Sequence, residues 1–219
     1  MIGIFGGSFD PIHFGHINPL NELSEVFDFK EIRLIPTYQS PANKIFFVNA
    51  HHRYNMVSII SSSSSNNFVA DNIEILNEGI SYTYETLEMI RKKVEIKDIC
   101  LIMGLDAFLD IKNWYNYKKL INNYKLIIIN RPNYCIDNIS NMDIEIFKKI
   151  TYDRNEFLKN EKSIYLYKSS ALDISSTKIR DAILKGNKTI GLIPGSIMSY
   201  IKRNGLYTEI LWVNLTPKV

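Results

Sequence analysis

Short runs of β-branched and aromatic residues recur along the chain. Longer segments with apolar positions three and four apart separate them. The runs Ile2–Phe5, Glu31–Pro36, Phe68–Ile75, Ile99–Met103, Lys125–Asn130 and Ser163–Tyr167 predict strands. The periodic segments predict helices over Phe14–Phe27, Asn49–Ser61, Tyr82–Val94, Leu105–Ile111, Asp143–Ile150, Ser175–Lys185 and Ile193–Asn204. Strand–helix alternation implies a parallel sheet covered by helices on both faces. The strands read as continuous apolar runs, as expected when neither face meets water. The expected fold is therefore α/β, a doubly wound parallel sheet. No repeat, long linker or break in composition divides residues 1–219, which read as a single domain. The most polar stretch, residues 132–160, is expected to be an irregular insertion.

Composition narrows the class. The chain has 219 residues, 46% apolar and 22% charged, which suits a globular protein with a substantial core. A net charge of +3 is low for a dedicated DNA or RNA binder, so no nucleic-acid partner is expected. The longest apolar runs fall far short of the ~20 residues that cross a bilayer. The opening MIGIFGGSFD lacks a basic leader and a long apolar segment. A cytoplasmic location without membrane attachment is expected. The two cysteines, Cys100 and Cys135, form no CxxC pair, which argues against a disulfide framework or a zinc site.

The candidate chemistry begins where the first strand ends. Ile2–Phe5 runs into Gly6-Gly7-Ser8-Phe9-Asp10-Pro11-Ile12-His13-Phe14-Gly15-His16. A strand, then glycines, then a helix start is a geometry that holds phosphate. Gly6 and Gly7 let the backbone come close and present N–H groups, and the helix aims its positive end at the ligand. His13 and His16 share one helix face and could both donate to phosphate oxygens. The alternative is a common Gly-Gly turn with a capping histidine and a surface one. The remaining histidines, His51 and His52, have no cysteine support, so no protein-bound metal is expected. Near the C-terminus, Ile174-Ser175-Ser176-Thr177-Lys178-Ile179-Arg180 opens another helix with hydroxyls and amides available to an anion. Arg180, one turn on, could reach the same anion as a bidentate donor. The alternative there is a well-capped surface helix.

GGSFDPIHFGH resembles the GxFDPxHxGH opening of the HxGH nucleotidyltransferases, relatives of the class I aminoacyl-tRNA synthetases. ISSTKIR resembles that superfamily's ISSTxIR. Further segments resemble the bacterial nicotinate-nucleotide adenylyltransferases. PTYQSPANK resembles their stretch ending PPHK, with Ala42 and Asn43 as departures and Lys44 retained. SYTYETL resembles SYTxDTL, with Glu85 for Asp. Gly104 and Asp106, followed by Trp114, resemble the GxD…W segment. Arg131-Pro132-Asn133 resembles RPG, and Pro194 to Tyr207 resembles the closing P…V…YI…LY pattern. The likeness runs from Ile2 to about Tyr207.

The resemblance implies a Rossmann-like nucleotidyltransferase fold and a reaction: ATP and nicotinate mononucleotide give deamido-NAD and pyrophosphate by direct in-line attack. It implies His13, His16, Lys44 and Arg180 as catalytic residues around the triphosphate. Gly6, Gly7, Ser8, Phe9, Gly104, Asp106, Ile174, Ser175, Ser176 and Thr177 would bind ATP. Tyr82, Thr83, Trp114 and Arg131 would meet the nicotinate nucleotide. Mg²⁺ would be held by ATP phosphates rather than by protein side chains. Trp114 reads either as a ring stacked on the pyridine or as a core aromatic, and Asp106 as an adenosine contact or a structural cap. Glu85 reads as a helix cap or as an acceptor reaching the pocket. Other readings are phosphopantetheine adenylyltransferase, which lacks the SYT…W arrangement, and a non-catalytic nucleotide binder, disfavoured by the two histidines and Arg180. The sequence leaves a homo-oligomer open.

Overall fold

The structure is a computed structural model and describes residues 1–42, 44–94, 98–130, 143–170 and 174–208. Its framework among these residues is a seven-stranded, wholly parallel sheet. In chain order the strands are β1 (Ile2–Gly7), β2 (Glu31–Pro36), β3 (Phe68–Ala70), β4 (Ile99–Gly104), β5 (Lys125–Asn130), β6 (Ile150–Thr151) and β7 (Ile164–Lys168). They lie side by side as β3-β2-β1-β4-β5-β7-β6.

Alternate side chains of each central strand enter different cores. Phe5, Ile102, Ile127 and Ile129 pack with α1 (Phe14–Val26), α2 (Ala50–Ser63), α9 (Ser176–Leu184) and α10 (Gly195–Arg203). Ile4, Leu101, Met103, Leu126 and Ile128 pack on the opposite face with α4 (Thr83–Lys93), α5 (Leu105–Leu109) and α6 (Tyr117–Asn123). This is the two-faced burial implied by the continuous apolar runs.

The chain leaves β1 for β2 and β3 on one side, then returns to place β4 on the other. Such a reversal opens a crevice beyond the carboxyl ends of the two strands. All the βα loops gather at that end because every strand is parallel.

Three expectations need correction. Phe68–Ile75 is a strand only through Ala70. Asp71 then accepts the Ile73 amide at 3.0 Å, and the chain turns into α3 (Ile73–Asn77). A β-branched run was therefore read as one element although an aspartate turn splits it. The helix over Asp143–Ile150 is confined to α7 (Ile144–Phe147), after which Ile150 and Thr151 pair with Ile164 and Tyr165. Residues 143–160 are accordingly a regular α7-β6-α8 unit at the sheet edge, with α8 at Arg154–Lys159. Asp153 caps α8 by accepting the Asn155 amide at 2.7 Å. The rest of the expected insertion, 132–142, lies outside the described residues. The helix α6 was missed because only Leu120 and Ile121 of its seven residues are buried.

Phe157 shows how firmly the edge unit belongs to the core. It is fully buried, edge-on to Phe27 at 5.5 Å and tilted against Tyr165 at 5.5 Å. Phe157→Ala should cost about 3–5 kcal/mol, as for other buried aromatics. Urea unfolding would measure it, and a loss under 1 kcal/mol would show that α8 is not part of the core.

Candidate active site

The crevice at the β1/β4 reversal is a cavity of ≈ 800 Å³. Gly6, Gly7 and Ser8 form one wall, and Leu101, Ile102 and Met103 run beneath it. Ser81, Tyr82, Thr83, Thr86, Trp114 and Tyr115 close the other side. The structure thus brings the first glycine loop and the SYT segment to one cavity, as expected of a site for two substrates.

Beside this cavity, His13 ends the loop and caps α1. The His13 amide donates to His16 Nδ1 at 3.3 Å. In the neutral ring this acceptor role leaves the proton on Nε2. The two imidazoles stack, centroids 3.7 Å apart and 25° from parallel, and Phe9 meets His16 edge-on at 5.3 Å. The histidines therefore form a locked stack. Gly15 has no room for a side chain: a Cβ would come within 2.9 Å of the His13 ring and 3.1 Å of the Ile174 carbonyl. Its missing side chain lets the late motif pack directly on the early one.

That late motif docks through three contacts. Ser176 Oγ donates to the Pro11 carbonyl at 3.1 Å, Arg180 donates to the Asp10 carbonyl at 2.7 Å, and the Arg180 guanidinium lies 4.1 Å over the Phe47 ring. Asp10 is the hub. Its Oδ2 accepts the Phe47 amide at 2.7 Å, and its Oδ1 accepts the Tyr207 hydroxyl at 2.7 Å. Arg53, wholly buried on α2, braces the glycine loop from behind. It donates to the Ser8 carbonyl at 2.8 Å and lies 4.1 Å over the Phe46 ring. Burial pushes the Arg53 guanidinium below its usual range, against the pull of Asp10, Tyr207 and Glu74. Lys44 is exposed and donates to Ser8 Oγ at 3.0 Å, so its ammonium stands at the front of the same loop.

Several expectations change here. His13 and Arg180 are buried, at 1% and 7% exposed. The two terminal nitrogens of Arg180 each donate one bond within the protein, the second to Thr177 Oγ1 at 3.1 Å, while its Nε is buried without a hydrogen-bond partner. Phe9 is buried at φ 48° and turns the loop, its side chain packing in the core rather than toward a ligand. The hydroxyls of Ser175, Ser176 and Thr177 serve the protein: Ser175 accepts the Lys178 amide at 3.2 Å, and the other two make the contacts above. What α9 offers an anion is the amides of Ser176 and Thr177, which have no acceptor within a helix.

Gly104 caps α5, and Asp106 is exposed on its first turn. Trp114 is half-buried, packed against the core and lining the cavity. Glu85 is exposed and does not cap α4, whose first turn has no side-chain cap. Arg131 lies outside the described residues, as do Asn43 and Asn133. No group of three or more metal-ligating side chains occurs among the described residues. Nor is any described helix long and apolar enough to cross a membrane.

Arg53, Glu74, Tyr115 and Tyr207 went unassigned. Arg53 left a readable signal: it falls on the stripe of Ala50, Met56, Val57 and Ile60, where a charge needs a reason.

A parallel sheet with a ligand crevice at its reversal, two helix starts and a histidine stack defines a nucleotide-handling α/β protein. Residues 4–182 match the family described as cytidylyltransferase-like. The Clostridium tetani protein named Probable nicotinate-nucleotide adenylyltransferase is 34% identical over 93% of this chain and 97% of its own. A Methylococcus capsulatus protein of the same name is 30% identical over 95% and 100%. A Plasmodium falciparum nicotinic acid mononucleotide adenylyltransferase complexed with NaAD superposes with a TM-score of 0.73 at 26% identity, covering 94% of this chain and 96% of that one. The chain belongs to the nicotinate-nucleotide adenylyltransferase family, and it is an adenylyltransferase.

Tyr207 tests the hub. Tyr207→Phe leaves a buried carboxylate oxygen without its donor and should cost about 1–3 kcal/mol in urea unfolding. Burial, then Asp10, holds the Tyr207 proton well above the usual phenol range. The contribution is therefore complete below pH ~10 and lost as pH rises further. Unchanged stability in the variant at neutral pH would contradict the hub.

Proposed function

We propose that the chain transfers the adenylyl group of ATP to nicotinate mononucleotide, giving deamido-NAD and pyrophosphate. The observation that carries this reading is the single cavity shared by the glycine loop and the uncapped start of α4. It suits two substrates held end to end. The names of the relatives, nicotinate-nucleotide and nicotinic acid mononucleotide adenylyltransferases, support the same acceptor and the same group transferred.

In this reaction a phosphate oxygen of the mononucleotide attacks the α-phosphorus of ATP in line. The bond to the bridging oxygen breaks, and pyrophosphate leaves with that electron pair. The attacking phosphate is already an anion and needs no general base. The protein's task is positioning and charge stabilisation. The amides of Gly7 and Ser8 and the first turn of α9 would face the triphosphate from two sides. His16 donates from Nε2, with His13 stacked against it. Lys44 supplies the cation at the front of the loop. Arg180 acts as a buried charge that seats α9 on the Asp10 loop. Mg²⁺ enters as MgATP, bound by phosphate oxygens. Asp10 is not available to a metal, because both carboxylate oxygens are engaged and the residue is 2% exposed.

On the acceptor side, Trp114 and Tyr82 flank the pyridine, and the first-turn amides of α4 meet its substituent. Amides only donate. They suit a carboxylate, whereas a carboxamide NH₂ turned toward them loses a hydrogen bond worth about 1–3 kcal/mol. Pyrophosphate release with MgATP should therefore show kcat/KM about 5- to 150-fold higher for nicotinate than for nicotinamide mononucleotide, with no turnover of phosphopantetheine. In the same assay His16→Ala should lower kcat by about 10²-fold or more. Near-wild-type kcat in the folded variant, or turnover of phosphopantetheine alone, would contradict the assignment.

A further inference from the structure

Behind the amides assigned to the pyridine substituent stands a carboxyl group that the reaction does not use. Glu74, on α3, is 8% exposed and lines the cavity together with Ser81, Tyr82, Thr83 and Thr86. Its Oε1 accepts the Thr86 hydroxyl at 2.7 Å. Its Oε2 is buried and has no donor in hydrogen-bond geometry, although the Ser81 hydroxyl and the Tyr38 amide stand near the carboxyl group. A second, much smaller cavity touches Glu74 from the other side and shares Ser81, Tyr82 and Thr86 with the main one. The uncapped start of α4 is thus backed by a partly satisfied buried carboxyl group.

We propose that Glu74 is a specificity-determining residue whose protonation sets the choice between a pyridine carboxylate and a pyridine carboxamide. This rests on the proposed reaction. The physical reason is charge. An ionised Glu74, 8% exposed, puts a second carboxylate behind the donors that a nicotinate carboxylate would use, where burial leaves the pair poorly screened. A protonated Glu74 removes that repulsion. The carboxamide is neutral and is far less affected by either state.

The surroundings allow the proton to matter. Burial raises the Glu74 pKa above the usual carboxylate range, against the pulls of Thr86, Ser81, the Tyr38 amide and the Arg53 charge. Arg53 on α2 is the cation acting on it. Glu85 of α4 borders the small cavity, while Tyr82 and, across the main cavity, Asp110 and Tyr115 complete the ionisable groups nearby. Raising the pH through the Glu74 transition removes the proton and should weaken nicotinate binding selectively.

The experiment is the ratio of kcat/KM for nicotinate mononucleotide to that for nicotinamide mononucleotide between pH 5.5 and 9, with MgATP. The two share the 5′-phosphate, so titrations of that phosphate and of the histidines cancel in the ratio. In the wild type the ratio should fall with rising pH in a single one-proton step, by up to about tenfold per pH unit. Glu74→Gln keeps an acceptor for Thr86 and cannot ionise, and its ratio should be independent of pH. Calorimetry of the wild type in buffers of different ionisation enthalpy gives a readout that needs no variant. Above the Glu74 transition, nicotinate mononucleotide should bind with uptake of more protons than nicotinamide mononucleotide. A flat wild-type ratio, a slope retained in Glu74→Gln, or equal proton uptake would overturn the proposal. If neither nucleotide is adenylated at any pH, the proposed reaction itself fails, which is distinguishable from turnover of both with a flat ratio.

Discussion

The carboxylate of Asp10 holds together parts of the chain that no secondary structure connects. It sits in the loop after β1, accepts the Phe47 amide from the loop after β2, and accepts the Tyr207 hydroxyl from beyond α10. The carbonyl of the same residue receives Arg180 from α9. A buried carboxylate is costly unless its oxygens are paired, and here the pairing partners are the segments that frame the phosphate site. The requirement to satisfy one charge therefore fixes where the early and late motifs meet.

Two buried guanidiniums complete this arrangement. Arg53 and Arg180 each lie 4.1 Å over one ring of the adjacent pair Phe46 and Phe47. Each also donates to a carbonyl of the first loop, at Ser8 and Asp10 respectively. Positive charge also stands behind a place where, on the proposed reading, a triphosphate arrives. Pre-arranged dipoles and charges of this kind need no rearrangement as the reaction proceeds.

The central strands were legible in the sequence because they are continuous apolar runs, whereas β6, only two residues long, left no such run. The helix starts at Phe14 and near Ser176 were legible because glycines or hydroxyl residues stand before them. What escaped had weaker local signals. Asp71 ends a strand inside a run that stays β-branched beyond it. α6 and α8 bury too few side chains to show a period. In the site, the loop glycines and the SYT segment were found from motif and meet at one cavity. The burial of Arg180 was not foreseen, because a motif names a residue without telling whether its donors face a ligand or the protein. Glu74 was hidden for another reason: assigned to a strand, it had no place on any helix facing a pocket.

In the proposed reaction the triphosphate of ATP lies between the histidine stack and the first turn of α9, with the acceptor pocket left free beside it. A crystal structure with a non-hydrolysable ATP analogue tests this most directly. This placement predicts phosphate oxygens within hydrogen-bond reach of His16 and the amides of Ser176 and Thr177, and no part of the analogue between Tyr82 and Trp114. An analogue with its adenine between Tyr82 and Trp114, or with its phosphates away from α9, would contradict it.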